Sequence, residues 1–135
     1  MSARGRHGAR RLLVQALYQN QIGGHDIATL IQQFSASKEF SGIDADYFLA
    51  VLDEVMEGKE ALDAQIIAVA DRPIEQLDPI ERCVLWIGVA ELKSHPDIPA
   101  KVVINEGVEL AKEFGALDSF RYINAILDNA SKALR

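Results

Sequence analysis

Cysteine is almost absent from this 135-residue chain: Cys83 stands alone, inside an apolar segment. A single cysteine forms no disulfide within one chain, so it reads as a small buried hydrophobe, and the usage suits a cytoplasmic protein. The three histidines, His7, His25 and His95, are scattered and give no metal-ligand spacing. No run of 18 apolar residues exists, so no membrane-spanning helix is expected. Phosphate-binding glycine loops, dinucleotide fingerprints, nucleophile elbows and zinc-protease motifs are all missing. Carboxylate pairs occur only on polar helical stretches, which do not favour raised pKa values. Catalysis therefore has no support in the residues, and neither a cofactor nor a metal is expected. Period-2 alternation and hairpin turns are absent too, and no internal repeat is visible.

One sign of charge is missing from the start of the chain. The first 25 residues hold Arg4, Arg6, Arg10 and Arg11 and no acid, whereas the remainder carries −10, for a net charge of −6. A basic N-terminal arm (residues 1–11) on an acidic body is an asymmetry that suits a polyanionic ligand at one end. It also suits a solubilising tail or a transit peptide. The arginines run directly into a helix with a core-facing stripe, which argues against the transit peptide.

What is present is helical periodicity. The stretch 101–129, KVVINEGVELAKEFGALDSFRYINAILDN, organises the chain. Val103, Gly107, Leu110 and Phe114 recur at spacings of three and four, an amphipathic helix. Gly115 follows, as a residue tolerant of positive φ at a helix end. Asp118 or Ser119 is a natural N-cap for a second helix burying Ile123, Ile126, Leu127 and Ala130. Between them Lys112, Asp118, Ser119, Arg121 and Tyr122 gather cationic, polar and aromatic groups at a helix N-terminus, where anions bind readily.

In chain order, a first helix is expected from about Ala9 to Ile22, ending at Gly23-Gly24. Its stripe is Ala9, Leu12, Leu13, Ala16 and Leu17, which puts Arg10 and Arg11 at the edges or outside. Tyr18 is placed with its ring in the packing and its hydroxyl accessible. Asp26 caps a short helix, 35–42 is a loop, and Asp44 caps a longer segment that Gly58 bends or divides. Asp53, Glu54, Glu57, Glu60 and Asp63 fall mostly on the outer side of that segment, a solvated face. Asp71-Arg72-Pro73 breaks it. Asp78-Pro79-Ile80-Glu81 then combines an N-cap, a proline at the first helical position and a capping box. The helix that follows, Ile80 to Leu92, is apolar nearly all round and belongs at the centre. The expected architecture is all-α, a single domain of about seven helices around one core.

Three segments also resemble a known family. RRLLVQALYQ, DPIERCVLWIGVAEL and KVVINEGVELAKEFGALDSFRYINAILD are similar to the NusB transcription antitermination factors, with the FG-x-x-DS joint and the helix after it at family spacing. The resemblance covers nearly the whole chain. It implies a NusB-like helical bundle that binds RNA without catalysis. The implied ligand is single-stranded boxA RNA in ribosomal RNA leaders. The implied partners are NusE, a ribosomal protein of the small subunit, and an elongating RNA polymerase that reads through terminators. The implied RNA contacts are Arg6 and Arg10, with Arg4 and Arg11 as neighbours, together with Tyr18, Asp118, Ser119, Arg121 and Tyr122. The implied partner surface holds Tyr18, Arg72, Glu75 and Glu81. Phe120 stands where the family commonly has a polar residue, Ala125 where glycine is common, and Tyr122 where phenylalanine is usual. On this view Tyr122 stacks a base, Arg121 and the arm meet phosphates, and Asp118 or Ser119 meets a base edge. Two other readings stay open: a protein-interaction module without RNA, and an RNA-targeting domain related to ribosomal RNA methyltransferases.

Overall fold

The computed structural model describes residues 3–135, so the first two positions of the basic arm lie outside the described residues. The chain forms six α-helices: α1 (Ala3–Gly23), α2 (Ile27–Ser35), α3 (Ala45–Val69), α4 (Pro79–Ser94), α5 (Ala100–Phe114) and α6 (Ser119–Leu134). Two 3-10 turns, Lys38–Gly42 and Ile74–Gln76, complete the count expected as about seven helices. The first turn lies where the periodicity suggests only a loop. Among the described residues there is no strand.

The capping chemistry read from the sequence is present. Asp26 and Asp44 accept the backbone N–H groups of Thr29 and Tyr47 at the starts of α2 and α3. Asp78 and Glu81 close the capping box of α4, with Pro79 at its first position. Gly58 departs from helical geometry (φ −117°, ψ 16°) and kinks α3.

α4 occupies the centre, buried from Cys83 through Leu92, with α1, α3, α5 and α6 packed around it. α6 buries Ile123, Ile126, Leu127 and Ala130 in the core. Leu127 inserts between Gly88 of α4 and Gly107 of α5, where an added Cβ would stand 2.6 Å and 2.5 Å from its methyl groups. These glycines let three helices converge at a distance no larger residue permits without displacing Leu127. The Arg135 guanidinium ties the C-terminus to the end of α4 and the turn after it by donating to the carbonyls of Glu91, Leu92, His95 and Ile98.

Three sequence expectations are corrected. α1 begins at Ala3 and not near Ala9, so residues 3–11 are its first turns; Asp44 N–H donates to Gly5 O across 3.0 Å and ties them to α3. Arg10, expected at the helix edge, is only 2% exposed. The acids of α3 are not all solvated either. Asp63 accepts from Trp86 Nε1 (2.7 Å) and Arg82 (2.8 Å), and Glu54 meets His95 at 2.9 Å.

Candidate nucleic-acid interface

The joint between α5 and α6 turns on Gly115 and Asp118. Gly115 is extended (φ −90°, ψ 176°), and its N–H reaches Ala111 O at 2.8 Å. The expected positive φ is not used there; glycine is required by contact instead. An added Cβ would lie 2.7 Å from Ala111 O and 3.2 Å from Ser119 Cβ. The left-handed residue is Asp118 (φ 69°), the one positive-φ residue other than glycine among those described. Asp tolerates this region better than most residues, at a cost of about 1–3 kcal/mol where it is held there. Asp118 occupies the N-cap position of α6 but makes no side-chain cap. Its carboxylate lies 3.5 Å from Arg121 Nε, both exposed.

Ser119, implied as an RNA contact, turns inward. It is buried and donates its hydroxyl to Glu81 Oε2 at 3.0 Å. Glu81 Oε1 accepts the Asp78 N–H at 3.2 Å, and Glu81 N–H donates to Asp78 at 2.8 Å. The buried Glu81 carboxylate therefore spans the first turns of two helices. Sequence reasoning found its capping box but not this second duty, because nothing local marks Ser119 as its partner.

Tyr122 is half-buried, with its hydroxyl shielded from solvent. Burial raises that hydroxyl's pKa, opposed by the nearby Arg72. The Arg72 guanidinium covers the ring at 4.1 Å and pairs with Asp71 at 3.2 Å. Arg72, Glu75 and Arg121 are exposed. Tyr18, expected to pack, is 38% exposed, and Ile22 one turn later is exposed as well.

The four arginines of α1 diverge. Arg4 is exposed. Arg6 sits at the start of α5, in a pocket with Asp97, Pro99 and Val102, and pairs loosely with Asp44 (3.7 Å) and Asp97 (3.9 Å). Arg10 is consumed internally: it binds Glu91 at 2.7 Å and Glu106 at 2.9 Å, with its guanidinium 5.3 Å from the Tyr47 ring. The Tyr47 hydroxyl donates to Glu91 as well. The missed signal was Glu91, an acid inside an otherwise apolar helix, which demands a buried cation. Arg11 reaches the far end of α5, where it grips Glu113 (2.6 Å) and lies 5.9 Å from the Phe114 ring. Of the implied α1 contacts, then, the structure brings Arg11 to the α5–α6 joint and holds Arg6 at the opposite end of α5.

The joint presents aromatic rings paired with cations: Phe114 with Arg11, Phe120 with Lys112 and Arg121, and Tyr122 with Arg72. Rings and guanidinium groups at one end of a helical body can stack bases and neutralise phosphates. Among the described residues no group of three histidine, cysteine or acidic side chains is placed to hold a metal.

The same arrangement of helices occurs in solved structures. A structure of NusB from T. maritima superposes with a TM-score of 0.81 at 24% identity, over 94% of this chain and 90% of that one. A chain of a structure described as antitermination factors NusB and NusE in complex with dsRNA gives 0.82 at 24% identity, over 98% of this chain and 99% of that one. At this identity the likeness shows the fold alone. In sequence, the transcription antitermination protein NusB of Alcanivorax borkumensis is 44% identical over 130 residues, 96% of this chain and 87% of that protein. The corresponding protein of Paraburkholderia phytofirmans is 46% identical over 130 residues, 96% and 90%. The NusB family model matches residues 7–132, and with that agreement along almost its whole length the chain belongs to the NusB family.

Proposed function

We propose that this protein is a non-catalytic RNA-binding antitermination factor. In this reading it recognises single-stranded boxA RNA of ribosomal RNA leaders together with a NusE-type ribosomal protein, and it joins an elongating RNA polymerase to suppress termination. Family membership supports the antitermination role, and the solved complex of NusB and NusE with dsRNA supports NusE and RNA, broadly taken, as partners. The observation that carries the reading is the α5–α6 joint, where Arg11, Lys112, Arg121 and Arg72 each lie against an aromatic ring. That combination suits unpaired bases, because it offers aromatic rings and positive charge side by side. The acidic remainder of the chain repels RNA broadly, so a basic second subunit would supply the missing attraction.

The test is fluorescence anisotropy with boxA RNA, a scrambled single strand and a duplex of the same length, each with and without NusE. Preference for single-stranded boxA that sharpens with NusE is the expected result. Equal, weak binding to all three would overturn the reading. Binding to NusE with no RNA would favour the protein-interaction alternative.

A further inference from the structure

The geometry points to Phe120, clasped by Lys112 and Arg121, as a second base-stacking contact on the α5–α6 joint, beside the one assigned to Tyr122. This rests on the RNA-binding reading and deepens it by naming a subsite. Phe120 is half-buried, with part of its ring packed on the core and the rest open. Lys112 Nζ lies 5.0 Å from the ring centroid and the Arg121 guanidinium 5.5 Å. The two cations arrive from different helices, Lys112 from α5 and Arg121 from α6, and do not follow one helical stripe.

Neither cation is committed elsewhere. Lys112 is 3.9 Å from Glu109, and Arg121 is 3.5 Å from Asp118, each pair largely exposed. Exposed pairs of this kind contribute little to stability, so a carboxylate is readily exchanged for a phosphate. Arg11 makes the contrast: its bidentate grip on Glu113 is shorter on every contact. Tyr122 differs too, since its ring already carries Arg72 at 4.1 Å, which a base must displace or stack upon. At Phe120 the cations stand farther off and are held only by weak exposed pairs, so a base can displace them from the ring while their charged ends turn to the neighbouring phosphates. Leu117, 94% exposed at the tip of the same joint, adds apolar surface beside this subsite.

The experiment compares wild type with Phe120→Leu, Phe120→Tyr and the double variant Lys112→Gln/Arg121→Gln. The probes are fluorescein-labelled boxA RNA and inorganic polyphosphate, with circular dichroism as the control for folding. Phe120→Leu keeps an apolar cover over the core but removes the π face. It should weaken RNA binding about tenfold or more, the effect of losing one stacked base, and leave polyphosphate binding unchanged. Phe120→Tyr should bind as wild type. The double variant alters only exposed positions, so it reports even where Phe120→Leu fails to fold. It should flatten the dependence of log affinity on log salt by about 1.4. If wild type binds RNA but Phe120→Leu and the double variant bind it equally well, this subsite is refuted and the broader function survives. If the variants lose NusE and keep RNA, the surface is a protein contact and the inference is likewise overturned. If wild type binds no RNA at all, both readings fall.

Discussion

Arg10 of α1 and Glu91 of α4 meet at 2.7 Å with both side chains almost wholly out of solvent, 3% and 1% exposed. Glu106, itself 19% exposed, accepts from Arg10 as well, and the Tyr47 hydroxyl donates to Glu91, so one guanidinium and one phenol answer two carboxylates. Removing one partner of such a pair leaves an uncompensated buried charge, at a cost of about 3–5 kcal/mol. Arg10→Ala should therefore lower the urea midpoint severely. Any loss of RNA affinity should track the unfolded fraction. A well-folded Arg10→Ala protein with normal stability and weak RNA binding would return Arg10 to the RNA surface.

Alkali should attack this core before mild acid does. Burial pushes the Cys83 thiol up to about 12, from an ordinary value of 9.0. Burial and the adjacent Glu91 likewise raise the Tyr47 hydroxyl. Both groups are neutral when folded and ionise more easily when unfolded, so their contribution is complete below their unfolded pKa values and is lost as pH rises above them. Urea midpoints should hold to about pH 8 and fall from about pH 9 upward. Cys83→Ala should remove the earliest part of that fall. For the same reason, native Cys83 should react with a thiol reagent no faster than the protein unfolds.

Much of this fold is legible because its signals are local. Caps at Asp26, Asp44 and Asp78 lie within three residues of the N–H groups they satisfy, and the Gly58 kink and the buried α4 follow from composition and period. The site is less legible because its partners are remote. Arg10 finds Glu91 81 residues away, Ser119 finds Glu81 38 residues away, and no period in the sequence links them. Arg10 lies next to the Leu12–Leu13 stripe, so periodicity alone assigns it to an edge; only the acid on the facing helix draws it inside. Phe120 stands out in the sequence only as a departure from the family's usual polar residue; its pairing with Lys112, on the preceding helix, shows only in the fold.

The Glu81 carboxylate is better placed to hold two helices together than to meet a partner. Glu81→Ala deprives the Asp78 N–H and the Ser119 hydroxyl of an acceptor, and losing such contacts costs about 1–3 kcal/mol. The melting temperature should drop, and Ser119→Ala should show a smaller part of the same effect. Titration of the folded fraction with NusE discriminates the roles. If Glu81→Ala keeps wild-type stability and loses NusE, the carboxylate belongs to the interface.

Gly115→Ala should damage the joint without altering Phe120, Arg121 or Tyr122 themselves. The new Cβ would press on the backbone oxygen of Ala111, which cannot rotate away as a side chain can. Overpacking of this kind costs about 1–3 kcal/mol, and relief requires the Asp118 turn to move. RNA affinity should fall by more than the lost stability explains, because Phe120, Arg121 and Tyr122 are all carried by that turn. Preserved affinity in a destabilised variant would show that the joint's geometry is not what RNA reads.

Arg4 and the half-buried Arg6 of α1 supply the cleanest electrostatic test. Arg4 is exposed, and Arg6 makes only loose pairs at 3.7 and 3.9 Å. Each phosphate neutralised on a single strand steepens the fall of log affinity with log salt by about 0.7. Arg4→Ala/Arg6→Ala should flatten that slope by roughly 1.4, equally for boxA and scrambled RNA, because phosphate contacts position a chain without reading its sequence. Stability should change by less than about 1 kcal/mol, as expected for surface pairs. Arg6 lies at the start of α5, away from the joint, so the result also measures how far the RNA extends along α1. A slope reduced by only half would mean that the strand reaches one of the two arginines. An unchanged slope would confine the RNA to the joint, with Arg11, Lys112 and Arg121 as its cations.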